Sequence, residues 1–303
     1  MNAAPALIVY TAAVGFVAPR LMLRWSWPHR APALAAAVWH ILVVSFTIGA
    51  TLTAYNLAMP AEYLHADLVG LLHACGVDMG TAEPDPGMAE RLAVGVPAAM
   101  GTALGTSFAF HVARARRVRT QHREAVDLVG RRSARLAATV LPYGTPAAYC
   151  LPGRDPRIVI SDAAVRELTP EQLAAVLKHE QAHIVGRHHL FLAAMEAFHS
   201  LFRWLPLARH AREQTALLLE MVADDRALHS HSHEALATAM YEMAAARVPK
   251  GALAATGQTV LIRLQRVLGP REAAPPALWG SVAALVVAVP LLPLLIACPP
   301  GLG

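Results

Sequence analysis

The sequence predicts a mainly α membrane protein: four transmembrane helices, with an α+β domain inserted between the third and the fourth. Three observations predict it. Of 303 residues, 55% are hydrophobic and only 16% are charged, where an ordinary soluble domain has about 25% charged residues. The apolar residues sit in long blocks, which points to membrane spans and away from one large core. Between the third and fourth blocks lies a more polar stretch with strand and helix signals of its own.

The blocks come in order. The first runs from Ala3 to Pro19 without a charge and continues past Arg20 to Leu23. The second runs from Ala31 to Pro60, interrupted by His40, and the third from Leu92 to Val112, with His111 near its end. The fourth follows Glu272, after which no charged residue occurs. A span needs about 20 mostly apolar residues, so the expected helices cover about 3–23, 33–59 and 92–112, with a fourth helix and a short outer tail in 273–303. Residues 113–272 form the inserted domain. MNAAPAL lacks a positive n-region, so a cleaved signal peptide is not expected.

Charge orients the blocks. Arg20, Arg24 and Arg30 follow the first, and Arg114, Arg116, Arg117, Arg119 and Arg123 follow the third. The link between the second and third holds Glu62, Asp67, Asp78, Glu83, Asp85 and Glu90 against Arg91 alone. Basic loops stay in the cytoplasm. Both termini are therefore expected outside and the domain in the cytosol. The same asymmetry accounts for the net charge of +5. Basic residues beside a span read as an anchor for anionic membrane lipid, so no direct nucleic-acid binding is expected. Cys75, Cys150 and Cys298 form no C-x-x-C pair, which removes a thiol-ligated zinc site and a redox motif. A Cys75–Cys298 disulfide has no positive support.

Within the domain, Leu136–Leu141, Ala147–Leu151 and Arg157–Ser161 read as strands, the last two joined by PGRDP as in a hairpin. Thr169, Pro170 and Gln172 then make a capping-box start for a helix. That helix carries LKHEQAHIVGRHH, Leu177 to His189. His179 and His183, four apart, share one helix face and can both reach a single Zn2+. Glu180, one residue round, stands beside such a metal as a catalytic base for its acidified water. Downstream, in LLLEMVADDRAL, Glu220 and Asp224 are also four apart. Glu220 would complete a His-His-Glu set with one open position. Asp224 would sit behind the metal and accept the free ring N–H of a ligating histidine. The inserted segment is thus expected to be a cytosolic α+β zincin-like metalloprotease domain holding one zinc.

Other features read as ordinary. His229–His233 (HSHSH) is expected to be a loop and not a metal tract. Leu190–Leu207, interrupted by Glu196 and Arg203, is expected to be a buried or re-entrant helix. Pro290 and Pro293 point to a kink. His40 and His111 lie within the membrane blocks, and His231 and Tyr241 lie downstream of the site, none with an assigned role. The stretch HADLVGLLHACGVDM suits a small amphipathic helix on the outer face.

The motif pair His179-Glu180-x-x-His183 and Glu220-x-x-x-Asp224, with YCLPGRDPRIVISDAAVRELTPEQLAAVLKHEQAHIVGRHHL and the order of spans, resembles the BlaR/MecR family of bacterial membrane zinc peptidases, which are gluzincins. The resemblance implies a zinc endopeptidase of the bacterial plasma membrane, engaged in signalling by self-cleavage or by cleavage of a BlaI-type repressor. It implies His179, His183 and Glu220 as ligands, Glu180 as catalytic base and Asp224 behind the metal. The chain departs from the family in two places. No Ser-x-x-Lys occurs, so direct β-lactam sensing is not expected. His188 stands where many relatives have an acid. Expected partners are membrane lipid and a protein or peptide substrate paired along Ala147–Leu151, with a homodimer left open. A quality-control membrane protease and a non-catalytic receptor are the alternatives, the latter disfavoured by the presence of Glu180.

Overall fold

The computed structural model describes residues 3–58, 88–246, 256–270 and 276–297. The outer amphipathic stretch, Cys75 and Cys298 lie outside these residues. Three helices among the described residues are long and apolar enough to cross a membrane: α1 (Ala4–Arg24), α3 (Pro32–Ala58; apolar through Leu57) and α11 (Pro276–Ala297; apolar from Trp279). A short helix, α2 (Trp27–Arg30), links the first two. The stretch from Leu92 to Val112 belongs to a longer element, α4 (Met88–Val129), which runs unbroken past the expected domain boundary at 112/113.

Proline shapes the long apolar helices. Residues Ala13–Val17 of α1 form a π turn just ahead of Pro19, whose missing N–H cannot close the α-helical bond to Gly15. In α11, Pro293 likewise leaves the Val289 carbonyl without its helical donor. Two hydroxyls replace it: Tyr10 from α1 at 2.6 Å and Ser45 from α3 at 2.9 Å. In an apolar surrounding an unbonded carbonyl is costly, so this carbonyl ties three helices together. His40 is similarly spoken for, with Nδ1 2.8 Å from Ala36 O and its ring edge-on to Phe191.

After α4 come β1 (Arg131–Ser133), β2 (Ala138–Leu141), β3 (Ala148–Leu151) and β4 (Arg157–Ser161), in spatial order β1-β2-β4-β3. The expected β3–β4 hairpin is present and antiparallel, while β2 and β4 run parallel. Strand β1, Arg-Arg-Ser, was not foreseen: it is a mostly exposed edge strand without apolar alternation. Strand β3 is the other edge.

Helices follow: α5 (Asp162–Glu167), α6 (Pro170–Val185), α7 (His188–Leu201), α8 (Pro206–Leu228), α9 (His233–Ala245) and α10 (Thr256–Leu268). The capping box on α6 forms on both sides, Thr169 N–H to Gln172 Oε1 at 2.8 Å and Gln172 N–H to Thr169 Oγ1 at 3.3 Å. The run Leu190–Leu207 becomes α7, a tight turn and the start of α8. This turn packs among the long apolar helices. Leu205 lies against Gly15 of α1, and Phe198 and Phe202 meet Phe46 of α3 edge-on at 5.9 and 5.7 Å. Ser200 of α7 bonds Ser107 of α4 at 2.9 Å. One apolar core therefore joins α1 and α3 to α7 and α8.

Candidate metal centre

Helices α6 and α8 face each other and bring the two motifs together. His179, His183 and Glu220 each offer one ligand atom, all within 4.8 Å of one another, and this is the group of metal-type side chains that converges among the described residues. His179 Nε2 and His183 Nε2 are 3.1 Å apart. Glu220 Oε2 lies 3.6 Å from His179 Nε2, and Oε1 lies 3.3 Å from His183 Nε2. Ligands about 2.0–2.1 Å from a tetrahedral zinc stand about 3.3–3.4 Å apart, so the donor set fits that ion in type and in spacing. Two imidazole nitrogens and a carboxylate turned toward one point need a cation or a proton between them, which is a second sign of fit.

Asp224 lies behind His179, with Oδ1 3.0 Å from Nδ1. The distance suits a hydrogen bond, but the ring N–H is not aimed squarely at the oxygen and Nδ1 has no well-aligned partner. Distance governs the charge interaction, which tolerates poor alignment, so the pair still interacts strongly. Burial works against a charged His179, yet Asp224 and Glu220 raise its imidazole to about 9. Burial opposes the two carboxylates as well, but His179 and Arg263 bring Glu220 down to about 2, and Arg263 and His179 do the same for Asp224. His183 goes the other way: burial lowers it to about 4. A metal-free site thus holds one proton on His179 and keeps His183 neutral.

Sequence reasoning missed Arg263. It bonds Asp224 through two nitrogens, at 2.8 and 2.7 Å, and Glu220 Oε2 through a third at 2.7 Å. Oε1 of Glu220 remains for a cation. A signal existed: Val260, Leu264 and Val267 form one apolar stripe of α10, and Arg263 sits on that stripe, where a charge calls for a buried partner. Arg266, one turn on, bonds Asp225 at 2.8 Å and the His29 carbonyl at 2.6 Å, fastening α10 to α8 and α2.

Glu180 is half-buried, and burial raises its carboxyl above the ordinary value. The Cys150 thiol of β3 lies near it, and burial first and Glu180 second push that thiol up to about 12, so it stays protonated. The remaining candidates do not converge here. In the histidine tract, His229 bonds the Asp225 carbonyl and His233 the Val267 carbonyl, while Ser232 caps α9. Tyr241 is 65% exposed on α9.

Residues 112–255 match the model of peptidase family M48. The match covers somewhat less than half of the chain and does not support the BlaR/MecR type specifically. It takes in the α6 and α8 motifs but not Arg263. No curated protein and no solved structure matches the chain. With the three apolar helices, the similarity to M48 peptidases points to a membrane-associated metallopeptidase.

Proposed function

We propose that the chain is a zinc-dependent endopeptidase of the bacterial plasma membrane, with the M48-like domain on the cytosolic side. His179, His183 and Glu220 hold the metal, Glu180 is the catalytic base, and Asp224 and Arg263 position the ligands. The observation that carries this reading is the convergence of three ligand atoms beside a half-buried glutamate. Zinc bound there supplies a Lewis acid and a water acidic enough to react near neutral pH.

The chain's own residues do the rest. Glu180 accepts a proton during attack and returns it to the leaving amine, a role helped by a carboxyl raised toward neutrality. The Ala147 carbonyl accepts from Ser161 N–H, 2.8 Å away. Alternate residues of an antiparallel pair face their partner, so Ala148 and Cys150 turn their backbone groups to the open edge. A substrate strand pairs with those groups and passes near Glu180, which shifts the Cys150 thiol and so lies close to this edge.

The favoured role is signalling proteolysis, by self-cleavage or by cleavage of a BlaI-type repressor. Clearance of membrane proteins is a second reading, favoured by the packing of α7 and α8 among the spanning helices. New protein N-termini in cells carrying the wild type or Glu180→Gln test both. A few termini lost in the variant, from this chain or from a cytosolic regulator, support signalling. Many lost from membrane proteins support clearance. Identical sets, with zinc retained in both proteins, sink the protease reading.

A further inference from the structure

We propose that His188 is the positioning residue that fixes His183 in its metal-binding tautomer. The inference rests on the metal site proposed above and extends it to a residue outside the motifs.

The geometry starts with the turn between α6 and α7. Helix α6 ends at Gly186, and Arg187 then adopts a left-handed conformation, φ 49°. A non-glycine residue in that region is strained and persists only when its surroundings require it. The turn folds His188 back onto His183, five residues earlier, which an uninterrupted helix face would not present. His188 is 4% exposed. Its Nδ1 lies 2.9 Å from His183 Nδ1, and the two rings meet edge to face, 4.7 Å between centroids. Gly186 makes the room: a side-chain carbon there would collide with Nε2 and stand 2.6 Å from Cδ2 of the His188 ring.

The proton positions then follow. His183 turns Nε2 toward His179 and Glu220. To ligate through Nε2 while neutral it must carry its proton on Nδ1. That proton points at His188 Nδ1, which accepts only if the His188 proton is on Nε2. The metal-free spacing, 3.1 Å between His179 Nε2 and His183 Nε2, accommodates the same pattern, with a proton on the His179 nitrogen in the place a metal would take. A neutral acceptor also leaves the ligand shell one negative charge poorer than a carboxylate would.

Zinc held by the purified full-length chain against a competing chelator tests the idea, with the visible spectrum of the cobalt form reporting ligand geometry. Asn offers an oxygen near the place of Nδ1, Asp offers a charged one, and Leu fills similar space with no acceptor. His188→Leu should lose about 10- to 100-fold in zinc affinity, the usual effect of removing such a partner, with an altered cobalt spectrum. His188→Asn should stay within a few-fold of the wild type, and His188→Asp should hold zinc at least as tightly. The proposal is overturned if His188→Leu matches the wild type. It is overturned equally if Asn and Asp each lose about 10-fold or more against the wild type, a comparison that does not need the Leu variant to fold. A wild type that takes up no zinc overturns the metal site itself, which is a separate result.

Discussion

Arg263 grips Asp224 through two parallel bonds, Nε to Oδ2 at 2.8 Å and a terminal nitrogen to Oδ1 at 2.7 Å. The Asp224 side chain is 1% exposed and that of Arg263 12%. The pair joins α8 to α10 directly behind His179. Replacing Arg263 with Met would leave a buried carboxylate without its main partner, and breaking such a pair from one side costs about 3–5 kcal/mol. Denaturant unfolding of Arg263→Met should show a loss of that size, together with weaker zinc retention through Glu220. A loss below about 1 kcal/mol would mean that Asp224 finds another partner and that Arg263 is not its anchor.

The acid–base state of the metal-free site sets a pH optimum for stability. His179 is raised from 6.5 to about 9, so its contribution is complete below 6.5 and disappears as pH climbs through 9. His183 is lowered from 6.5 to about 4, so its neutral buried form costs stability as pH falls from 6.5 toward 4. Glu220 and Asp224, at about 2, lose their contributions only below the ordinary carboxylate range. The metal-free protein should therefore be most stable near pH 6.5. Zinc must displace the His179 proton, while His183 has none to release at pH 7. Calorimetry in two buffers of different ionisation heat should find about one proton released per zinc at pH 7. A heat independent of buffer would contradict the assignment of that proton to His179.

Much of this site could be read in the sequence because its parts are local. His179, Glu180 and His183 lie within one helix whose start is written in Thr169, Pro170 and Gln172, and Glu220 and Asp224 share a face by spacing alone. Arg263 was harder. It meets Glu220 and Asp224 from about 40 residues away, and no spacing rule connects them. His188 was visible as an anomaly, but its contact depends on a left-handed turn at Arg187, a residue type that does not announce one. Among the strands, β2, β3 and β4 carry apolar residues and could be found. β1 is Arg-Arg-Ser, and only pairing with β2 makes it a strand. The continuity of α4 through Val112 was hidden because charge marks a membrane surface without ending a helix.

Packing of the α7–α8 turn against α1 predicts a contrast between glycines. A side-chain carbon at Gly15 would lie 3.0 Å from both Leu205 Cδ1 and Phe46 Cε2, whereas one at Gly105 of α4 would meet nothing within 4 Å. Gly15→Ala should destabilise the protein by about 1–3 kcal/mol through overpacking. Gly105→Ala should be neutral or stabilising by up to about 1 kcal/mol from helix propensity. Thermal melting of both variants in one detergent checks the sign. Equal shifts would show that the turn does not press on α1.

The Val289 carbonyl offers a test by double substitution. It accepts from Tyr10 and Ser45 because residue 293 is proline. Tyr10→Phe with Ser45→Ala should cost about 1–2 kcal/mol, since hydrogen bonds between membrane helices average somewhat under 1 kcal/mol each. Pro293→Ala restores an N–H four residues on, in position to close the helical bond to Val289. In that background the same two substitutions should cost less, because the carbonyl then has a donor within α11. The cycle thus separates satisfying an orphaned carbonyl from generic packing, which would make the two costs equal.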